Sequence, residues 1–276
     1  FRVETFVRDR CRITRTVLTV GGRTMTSITR RTPELDTIWT TEYLLKSPED
    51  LRAYLQLPDE VFAETIDLTP LLREEESTAD RGIVMVDTED PLCAAATLFS
   101  MEDYLILART EKKLFHRLLD KHARPIWART EKVAAEFPGR LWRIYGPEFA
   151  TEPYLPPAYF RDFVLRYDRP MVQAIHEHGG FVRLHCHGRL GAVLDLIMEL
   201  EADALDPVEP PPHGDVRLRD VCARYGERLV LFGNIEISDI ENLPSEKFAD
   251  LVDRTLDDFH AHPVRGFVVM PSASPI

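Results

Sequence analysis

The sequence has 276 residues, of which 44% are hydrophobic, enough for a sizeable core in one large domain or two small ones. Acidic residues (46) outnumber lysine and arginine (34), so the formal charge is −12, and this balance argues against a nucleic acid or an anionic membrane as partner. The four cysteines have no C-x-x-C spacing, and no apolar run approaches the ~20 residues of a membrane span, so we expect a cytoplasmic protein.

Residues 1–81 are expected to form a hairpin followed by helices. The stretches 14–20 and 23–29 flank Gly21-Gly22, a dipeptide typical of a two-residue hairpin turn. Ser47-Pro-Glu-Asp50 indicates the start of a helix, with serine as the N-cap and proline at the first helical position.

From residue 82 the pattern alternates between strands and helices. The predicted strands are 82–86, 140–145, 181–187, 204–208, 228–235 and 266–270. The predicted helices are 90–99, 101–109, 110–137, 157–178, 190–201, 216–225 and 245–260. This alternation predicts parallel β/α units, and because no G-x-G-x-x-G follows the first strand, a dinucleotide-binding sheet is disfavoured.

The strand 181–187 ends in a histidine pair. Since side chains alternate along a strand, Arg183, His185 and His187 share a polar face. The intervening residues, Cys186 among them, share an apolar face that we expect to pack on helices. Two imidazoles at this spacing can converge on one ion, about 2.0–2.1 Å from each nitrogen. The alternative interpretation is a pair of hydrogen-bonded surface histidines.

Polar residues lie at or just after the carboxyl ends of five predicted strands. They are Glu148, His187, Asp206 with Glu209, Asn234 with Glu236, and Ser272 with Ser274. A (β/α)8 barrel builds its active site at this end of its strands. Each residue alone could equally be a helix cap or a solvated loop residue, but five such strand ends together indicate a site.

Three stretches resemble the uroporphyrinogen decarboxylase superfamily, namely Gly179–Gly188, Glu199–Asp206 and Leu231–Ile235. Within that superfamily the chain is more similar to the corrinoid-dependent, zinc-containing methyltransferase branch. The resemblance extends from about residue 30 to the end of the sequence.

The fold that this resemblance implies is an α/β (β/α)8 TIM barrel. Residues 1–276 are then expected to form a single barrel domain, with the hairpin and helices in 1–81 and the β/α repeats in 82–276. Because the pattern shows only six barrel strands, we expect the first two to lie in a missing amino-terminal part. The chain begins at Phe1 rather than methionine and stops directly after a strand-like run, so we expect the barrel to be truncated at both ends.

The chain departs from the methyltransferase branch at the metal ligands. That branch carries His-x-Cys at this strand and a further cysteine after the last strand. Here His187 replaces the first cysteine, Cys186 has the wrong parity to substitute for it, and the second cysteine falls at or near Ala273. The resemblance therefore implies a metal held by His185, His187 and Glu148, with Glu236 as the second candidate for the carboxylate, a set that suits zinc or another divalent metal such as iron or cobalt.

The function implied by the resemblance is methyl transfer between a corrinoid and a small acceptor such as a thiol. Methylcobamide or a corrinoid protein would supply the methyl group, the metal would act on the thiol as a Lewis acid, and a homodimer is a further expectation. The catalytic candidates are Glu148, Asn234 and Glu236. The substrate-binding candidates are Arg143, Tyr145, Arg183 and Asp206.

Two other interpretations remain open at the level of sequence. One is decarboxylation of a tetrapyrrole of the uroporphyrinogen type, which requires cationic groups around carboxylates and is favoured by the barrel-facing parity of Arg143 and Arg183. The other is a barrel that only binds a small molecule, since loss of the cysteine ligands could mark loss of catalysis.

Overall fold

A computed structural model of the chain describes residues 1–35 and 37–272. The amino-terminal part forms a four-stranded antiparallel sheet whose strands are adjacent in chain order. The strands are β1 (Arg2–Arg8), β2 (Cys11–Val20), β3 (Arg23–Arg31) and β4 (Ile38–Glu42). The predicted hairpin is confirmed as β2 and β3, but the sequence pattern missed the strands on either side of it.

The hairpin could be predicted from its turn, whereas the two outer strands could not be predicted from their burial. Gly21 and Gly22 have φ of +57° and +76°, the left-handed conformation that a tight hairpin turn requires and that glycine adopts readily. Strands β1 and β4 are exposed on both faces along nearly their whole length. They therefore lack the alternation of buried and exposed residues by which a strand is recognised.

A second sheet consists of six parallel strands, again adjacent in chain order. They are β5 (Met85–Glu89), β6 (Leu141–Tyr145), β7 (Phe181–His185), β8 (Ala204–Asp206), β9 (Val230–Ile235) and β10 (Gly266–Pro271). The six predicted parallel strands are thereby confirmed. The predicted bounds of the first strand, 82–86, were wrong, because β5 begins at Met85 and includes the polar residues Asp87 and Glu89.

The helices mostly follow the predicted pattern. The α-helices are α1 (Pro48–Tyr54), α2 (Thr69–Thr78), α3 (Pro91–Ala96), α4 (Met101–Thr110), α5 (Lys112–Glu136), α6 (Pro157–Phe160), α7 (Arg166–Glu177), α8 (Leu194–Glu199), α9 (Leu218–Tyr225), α10 (Ile237–Asn242) and α11 (Ser245–His260). A π-helical turn at Arg161–Leu165 joins α6 to α7. Ser47 caps α1 as predicted, since its side chain accepts a hydrogen bond from the Asp50 N–H. Helix α10 was not predicted.

The order of the parallel strands places the core on one face of the sheet. Because crossovers between parallel strands are right-handed, strands that follow one another in chain order keep their connecting helices on the same side. The residues of β6 and β7 that point to that side, Trp142, Ile144, Val182 and Leu184, are at most 2% exposed. The residues of the opposite face are half-buried and largely polar. The fold is α/β with a six-stranded parallel sheet, and its polar face carries the candidate site.

The described residues divide into two compact units by their internal contacts. The first unit comprises residues 1–64 and 93–125, and the second comprises residues 65–92 together with those from 126 onward. The organisation of the chain as a single barrel domain stays a prediction. No helix in the described part of the chain has both the length and the apolar character needed to cross a membrane.

The first unit contains a half-buried histidine that the folded protein holds in its neutral form. The ring of His122 stacks on Tyr54 at a centroid distance of 6.1 Å and meets the edge of Phe62 at 5.6 Å. Burial, aided by the charge of Lys121, lowers the pKa of His122 from 6.5 to about 4.

We expect this histidine to make the protein sensitive to mild acid. The unfolded chain takes up a proton near pH 6.5 and the folded chain only near pH 4, so stability is complete above pH 6.5 and falls as the pH drops through this window. The full loss is about 3 kcal/mol at ~1.4 kcal/mol per pKa unit. Urea unfolding of the wild type and of His122→Phe between pH 7.5 and 4.5 measures it. The exposed His260, changed to glutamine, is the control, and an unaltered acid slope in His122→Phe would contradict the assignment.

Candidate functional site

The site begins with the two imidazoles at the carboxyl end of β7. The ring centroids of His185 and His187 are 4.6 Å apart and the rings meet edge to face at 84°. Their side chains are 13% and 33% exposed, so both are reachable from the polar face of the sheet. β7 ends at His185, two residues short of the predicted 187, but the two rings still lie together as predicted and Cys186 between them is fully buried.

Asp206 fixes the orientation of His185. Nδ1 of His185 lies 2.7 Å from Oδ2 of Asp206, and because an ionised carboxylate can only accept, Nδ1 is the donor of this hydrogen bond. The same Oδ2 accepts from Nε and Nη2 of Arg183 at 2.9 and 2.5 Å. Burial alone would raise the pKa of Asp206, but the hydrogen bonds and charges of His185 and Arg183 outweigh it and lower the pKa below its usual value.

Glu209 orients His187 in the way that Asp206 orients His185. Nδ1 of His187 donates to Oε1 of Glu209 at 2.9 Å, and the Gly188 N–H donates to Oε2 at 2.8 Å. Burial opposes the charged form of His187, but the hydrogen bond and charge of Glu209 prevail and raise the pKa of the imidazole. Burial likewise opposes ionisation of Glu209, and its hydrogen bonds to His187 and Gly188 lower the pKa of that carboxyl. The sequence placed Glu209 at a strand end but did not assign it to a histidine.

The register of the parallel sheet assembles the predicted substrate-binding residues. Glu89, Tyr145, His185 and Asp206 are directly opposite one another across β5, β6, β7 and β8. Two residues towards the amino ends of these strands, and on the same face of the sheet, a second row consists of Asp87, Arg143 and Arg183. The four predicted substrate-binding residues thus occupy one continuous patch of the polar face.

Both arginines of this patch are already paired with carboxylates. Nη1 of Arg143 lies 3.1 Å from each carboxylate oxygen of Asp87, and its Nε lies 3.9 Å from Asp206. The guanidinium of Arg183 is bound to Asp206 and lies 4.2 Å from the centroid of the Phe232 ring. The patch is therefore close to electrically balanced rather than strongly cationic.

Glu148 lies in the turn that follows β6, a 3₁₀ helix at Pro147–Ala150. Its Oε2 accepts a hydrogen bond from the Gly146 N–H at 3.1 Å, and its charge contributes to the raised pKa of His187. Within the described ranges, no three histidine, cysteine, aspartate or glutamate side chains are placed to hold one metal ion together. The assignment of Glu148 as a third ligand stays a prediction.

Asn234 and Glu236 present unsatisfied oxygens at the carboxyl end of β9. Oδ1 of Asn234 and Oε1 of Glu236 are buried and have no hydrogen-bond partner among the described residues. The other oxygen of Glu236 accepts from the Ser272 hydroxyl at 2.9 Å. Burial, followed by the nearby charge of Glu209, raises the pKa of Glu236. Buried acceptors without donors are uncommon in folded proteins, and a ligand bearing N–H or O–H groups would satisfy them.

Sequence analysis missed several residues that belong to this region. His213 lies close enough to Glu209 and Glu236 for a positive charge on it to favour the ionised form of both carboxyls, although the pKa of Glu236 stays raised overall. Asp90 and Asp168 are fully buried, and burial raises the pKa of Asp168 well above its usual value. Only the position of Asp90 directly after β5 could have signalled its place in this region.

Cys186 is a further buried titratable residue next to the histidine pair. It is fully buried, and burial, with the negative charges of Glu148 and Asp90, raises its thiol pKa well above the usual value. The expectation that Cys186 packs on the inner side of the strand is confirmed. Ala273 and Ser274, which the sequence analysis also named, lie outside the described residues.

The six-stranded parallel sheet gathers polar and titratable residues at the carboxyl ends of its strands, which is where α/β enzymes build their active sites. The family model for uroporphyrinogen decarboxylase (URO-D) matches residues 24–274, and the chain belongs to this family. The resemblance found in the sequence is confirmed. Membership supports an enzyme of this superfamily.

Solved structures agree with this assignment at the level of fold. Thirteen solved chains match, among them a methyltransferase from Methanosarcina mazei, with 13% sequence identity and a TM-score of 0.57. The match covers 86% of this chain and 66% of that one, so the chain spans just under two thirds of that neighbour's length. No curated protein sequence matches the chain.

Proposed function

We propose that this chain is a metal-dependent methyltransferase that moves a methyl group between a corrinoid and a small acceptor such as a thiol. The observation that carries the proposal is the histidine pair of β7, in which each Nδ1 is bound to a buried carboxylate. Family membership and the fold shared with the Methanosarcina mazei methyltransferase support the class of enzyme.

The histidine pair fits a divalent ion of the zinc type. A ligating imidazole normally donates its second ring N–H to a carboxylate, which is how Asp206 and Glu209 bind His185 and His187. The two Nε2 atoms would hold the metal, and Glu148 would complete the set once it releases the Gly146 N–H. When bound, a metal of this type lowers the pKa of an acceptor thiol.

The protein side chains would position the acceptor and remove its proton. Asn234 Oδ1 and Glu236 Oε1 are unsatisfied acceptors at the same end of the sheet and are suited to hold donors on the substrate. Because burial raises the pKa of Glu236, this carboxyl is suited to receive the proton that the thiol loses. The substrate-binding patch would bind the acceptor through Tyr145 and through the paired Arg143 and Arg183.

We further propose that the six parallel strands are an arc of a (β/α)8 barrel. Their order follows the chain without reversal, and the face towards the helices is apolar while the opposite face is polar. A doubly wound sheet would instead reverse its strand order at a switch point and bury both faces. A corrinoid protein as methyl donor and a homodimeric assembly belong to the same proposal.

Decarboxylation of a tetrapyrrole is the alternative within the family, and the electrostatics argue against it. A substrate with several carboxylates needs cationic groups that are not already neutralised. Arg143 is bound by Asp87, and Arg183 is bound by Asp206. The remaining alternative is a barrel that only binds a small molecule, and it requires that the protein catalyses neither methyl transfer nor decarboxylation.

An anaerobic assay with methylcobalamin and a thiol tests the proposal. Protein supplied with zinc should demethylate the cobalamin, seen as a change in visible absorbance, and His185→Ala should be inactive. His178→Ala, which alters a histidine bound to Glu131 at the end of α7, is the matched control and should retain activity. Carbon dioxide release from uroporphyrinogen without demethylation would replace the proposal with a decarboxylase, and binding without either reaction would indicate a binding barrel.

A further inference from the structure

The carboxyl ends of β8 and β9 hold buried oxygens that lack hydrogen-bond donors. Among the described residues, Oδ1 of Asp206, Oδ1 of Asn234 and Oε1 of Glu236 are buried and have no hydrogen-bond partner. Nε of Arg140 is a buried nitrogen in the same condition, but it lies before the amino end of β6. A buried acceptor without a donor costs free energy, so this end of the sheet favours a ligand that donates several hydrogen bonds.

Contacts place Asn234 and Glu236 beside the residues of the candidate site. Asn234 is directly opposite Met270 of β10, whose Sδ lies 3.4 Å from Nη2 of Arg183. Glu236 is 9% exposed, and its Oε2 accepts a hydrogen bond from the Ser272 hydroxyl at 2.9 Å. Ser272 therefore holds the Glu236 carboxyl in place and leaves Oε1 as the oxygen that can accept from a ligand.

The electrostatic surroundings of Glu236 favour a cation among such donors. Burial, followed by the negative charge of Glu209, raises the pKa of Glu236. A hydrogen bond from Ser272 and a positive charge on His213 offset this rise in pKa only in part, and the negative charge of Asp239 adds to it. A positively charged ligand group would supply the counter-charge that favours the ionised carboxylate in this place.

We propose that the methyl acceptor is a small thiol bearing a primary amine, and that Oδ1 of Asn234 and Oε1 of Glu236 bind its ammonium group. This inference rests on the proposed methyl transfer and names the class of its acceptor. An ammonium group has three N–H donors and no acceptor, so it can serve both oxygens at once, and its hydrogen bond to the carboxylate is charge-assisted. A hydroxyl group has one donor and can serve only one of them.

Other small thiols fit this place less well. A thiol bearing a carboxylate would bring a further negative charge next to Glu236 and Glu209, and an alkyl thiol would leave both oxygens without donors. The ammonium also stabilises the ionised form of Glu236, which is the form that can receive a proton. In the transfer the sulfur loses that proton and gains the methyl group, the electron pair of the carbon–cobalt bond stays with the corrinoid, and the amine does not react.

Calorimetric titration of the whole chain at neutral pH tests the ammonium site without metal or corrinoid. Propylamine and 2-aminoethanethiol should bind, and 1-propanethiol and 3-mercaptopropionate should bind more weakly by about tenfold or more, since they lack the charge-assisted contact. This comparison is made on the wild type and does not depend on the folding of any variant. Absence of propylamine binding would overturn the inference.

Two variants and a matched control assign the binding to its residues. Glu236→Gln and Asn234→Ala should each weaken propylamine by about tenfold or more, because each removes an acceptor of the ammonium group. Glu241→Gln changes an exposed acidic residue of α10 and should bind propylamine as tightly as the wild type. Equal affinities in all four proteins would overturn the assignment. Glu236→Gln should take up zinc like the wild type, and a loss of zinc would instead identify Glu236 as a metal ligand and overturn the ammonium role.

Demethylation of methylcobalamin by the zinc-supplied protein separates this inference from the proposed function. The KM for 2-aminoethanethiol should lie about tenfold or more below that for 1-propanethiol. Equal KM values, or a lower KM for 3-mercaptopropionate, would overturn the amine and leave methyl transfer in place. Failure of every thiol to support demethylation would end the proposed function, while propylamine binding that Glu236→Gln weakens would still support the ammonium site.

Discussion

Asp206→Leu is expected to lose about 3–5 kcal/mol of folding stability, the usual result of removing one partner from a buried ion pair. Asp206 is 1% exposed and accepts hydrogen bonds from Arg183 and His185. Without it the guanidinium of Arg183, which is 12% exposed, would be left without its counter-charge. Urea unfolding at neutral pH measures the loss, with Asp257→Asn on the exposed face of α11 as control.

A second substitution distinguishes this cause from simple loss of packing. Replacing both partners, as Arg183→Met with Asp206→Leu, should recover part of the stability, because no unpaired charge then remains buried. In the wild type the lowered pKa of Asp206 means that its contribution is complete at neutral pH and is lost as the pH falls through the folded pKa. If Asp206→Leu alone were as stable as the wild type, Arg183 would have to be solvated rather than buried, and the expectation would be wrong.

His187→Ala is expected to abolish stoichiometric metal binding with little effect on folding. The proposed site has two imidazoles, and a single imidazole cannot hold a divalent ion tightly. The side chain of His187 is 33% exposed, so its removal leaves the core intact. Metal analysis after incubation with zinc, cobalt or iron measures the loss, and thermal unfolding reports on the fold.

Two conservative variants test the carboxylates of the proposed metal site, Glu209 as the residue that positions His187 and Glu148 as the third ligand. Glu209→Gln keeps the size of the side chain but weakens the acceptor for Nδ1 of His187, and should reduce metal affinity by about 10–100-fold. Glu148→Gln should also weaken binding if this carboxylate is the third ligand. Wild-type protein that takes up none of the three metals in stoichiometric amount would end the metal assignment, whatever the variants do.

The sequence predicted the parts of this structure that depend on local periodicity. The alternation along β7 was enough to assign His185 and His187 to one face and Cys186 to the other, and the strand ends were enough to gather Glu148, Asp206 and Asn234 at one edge. The bounds of β5 were missed because Asp87 and Glu89 look like the start of a loop. Their place in a strand is set by pairing with Arg143 and Tyr145 in β6.

What could not be predicted depends on contacts between distant segments. Nothing in the spacing of Glu209 indicates that it binds His187, 22 residues earlier. The raised pKa of Asp168 likewise depends on burial between elements far apart in the chain. The pairing of Arg12 with Arg31 also required the register of β2 on β3, because a hairpin separates the two residues in the chain.

The alternation of β7 also has an evolutionary consequence. Position 187 can change its chemistry from imidazole to thiolate by one substitution at a partly exposed place, whereas position 186 is closed to such change because its side chain is embedded in the apolar interior. If the proposed metal site exists, a lineage can therefore change the softness of its ligands, and with it the preferred metal, without disturbing the packing that keeps the strand in place. Variation in this motif among relatives should accordingly concentrate at the second histidine and spare the residue before it.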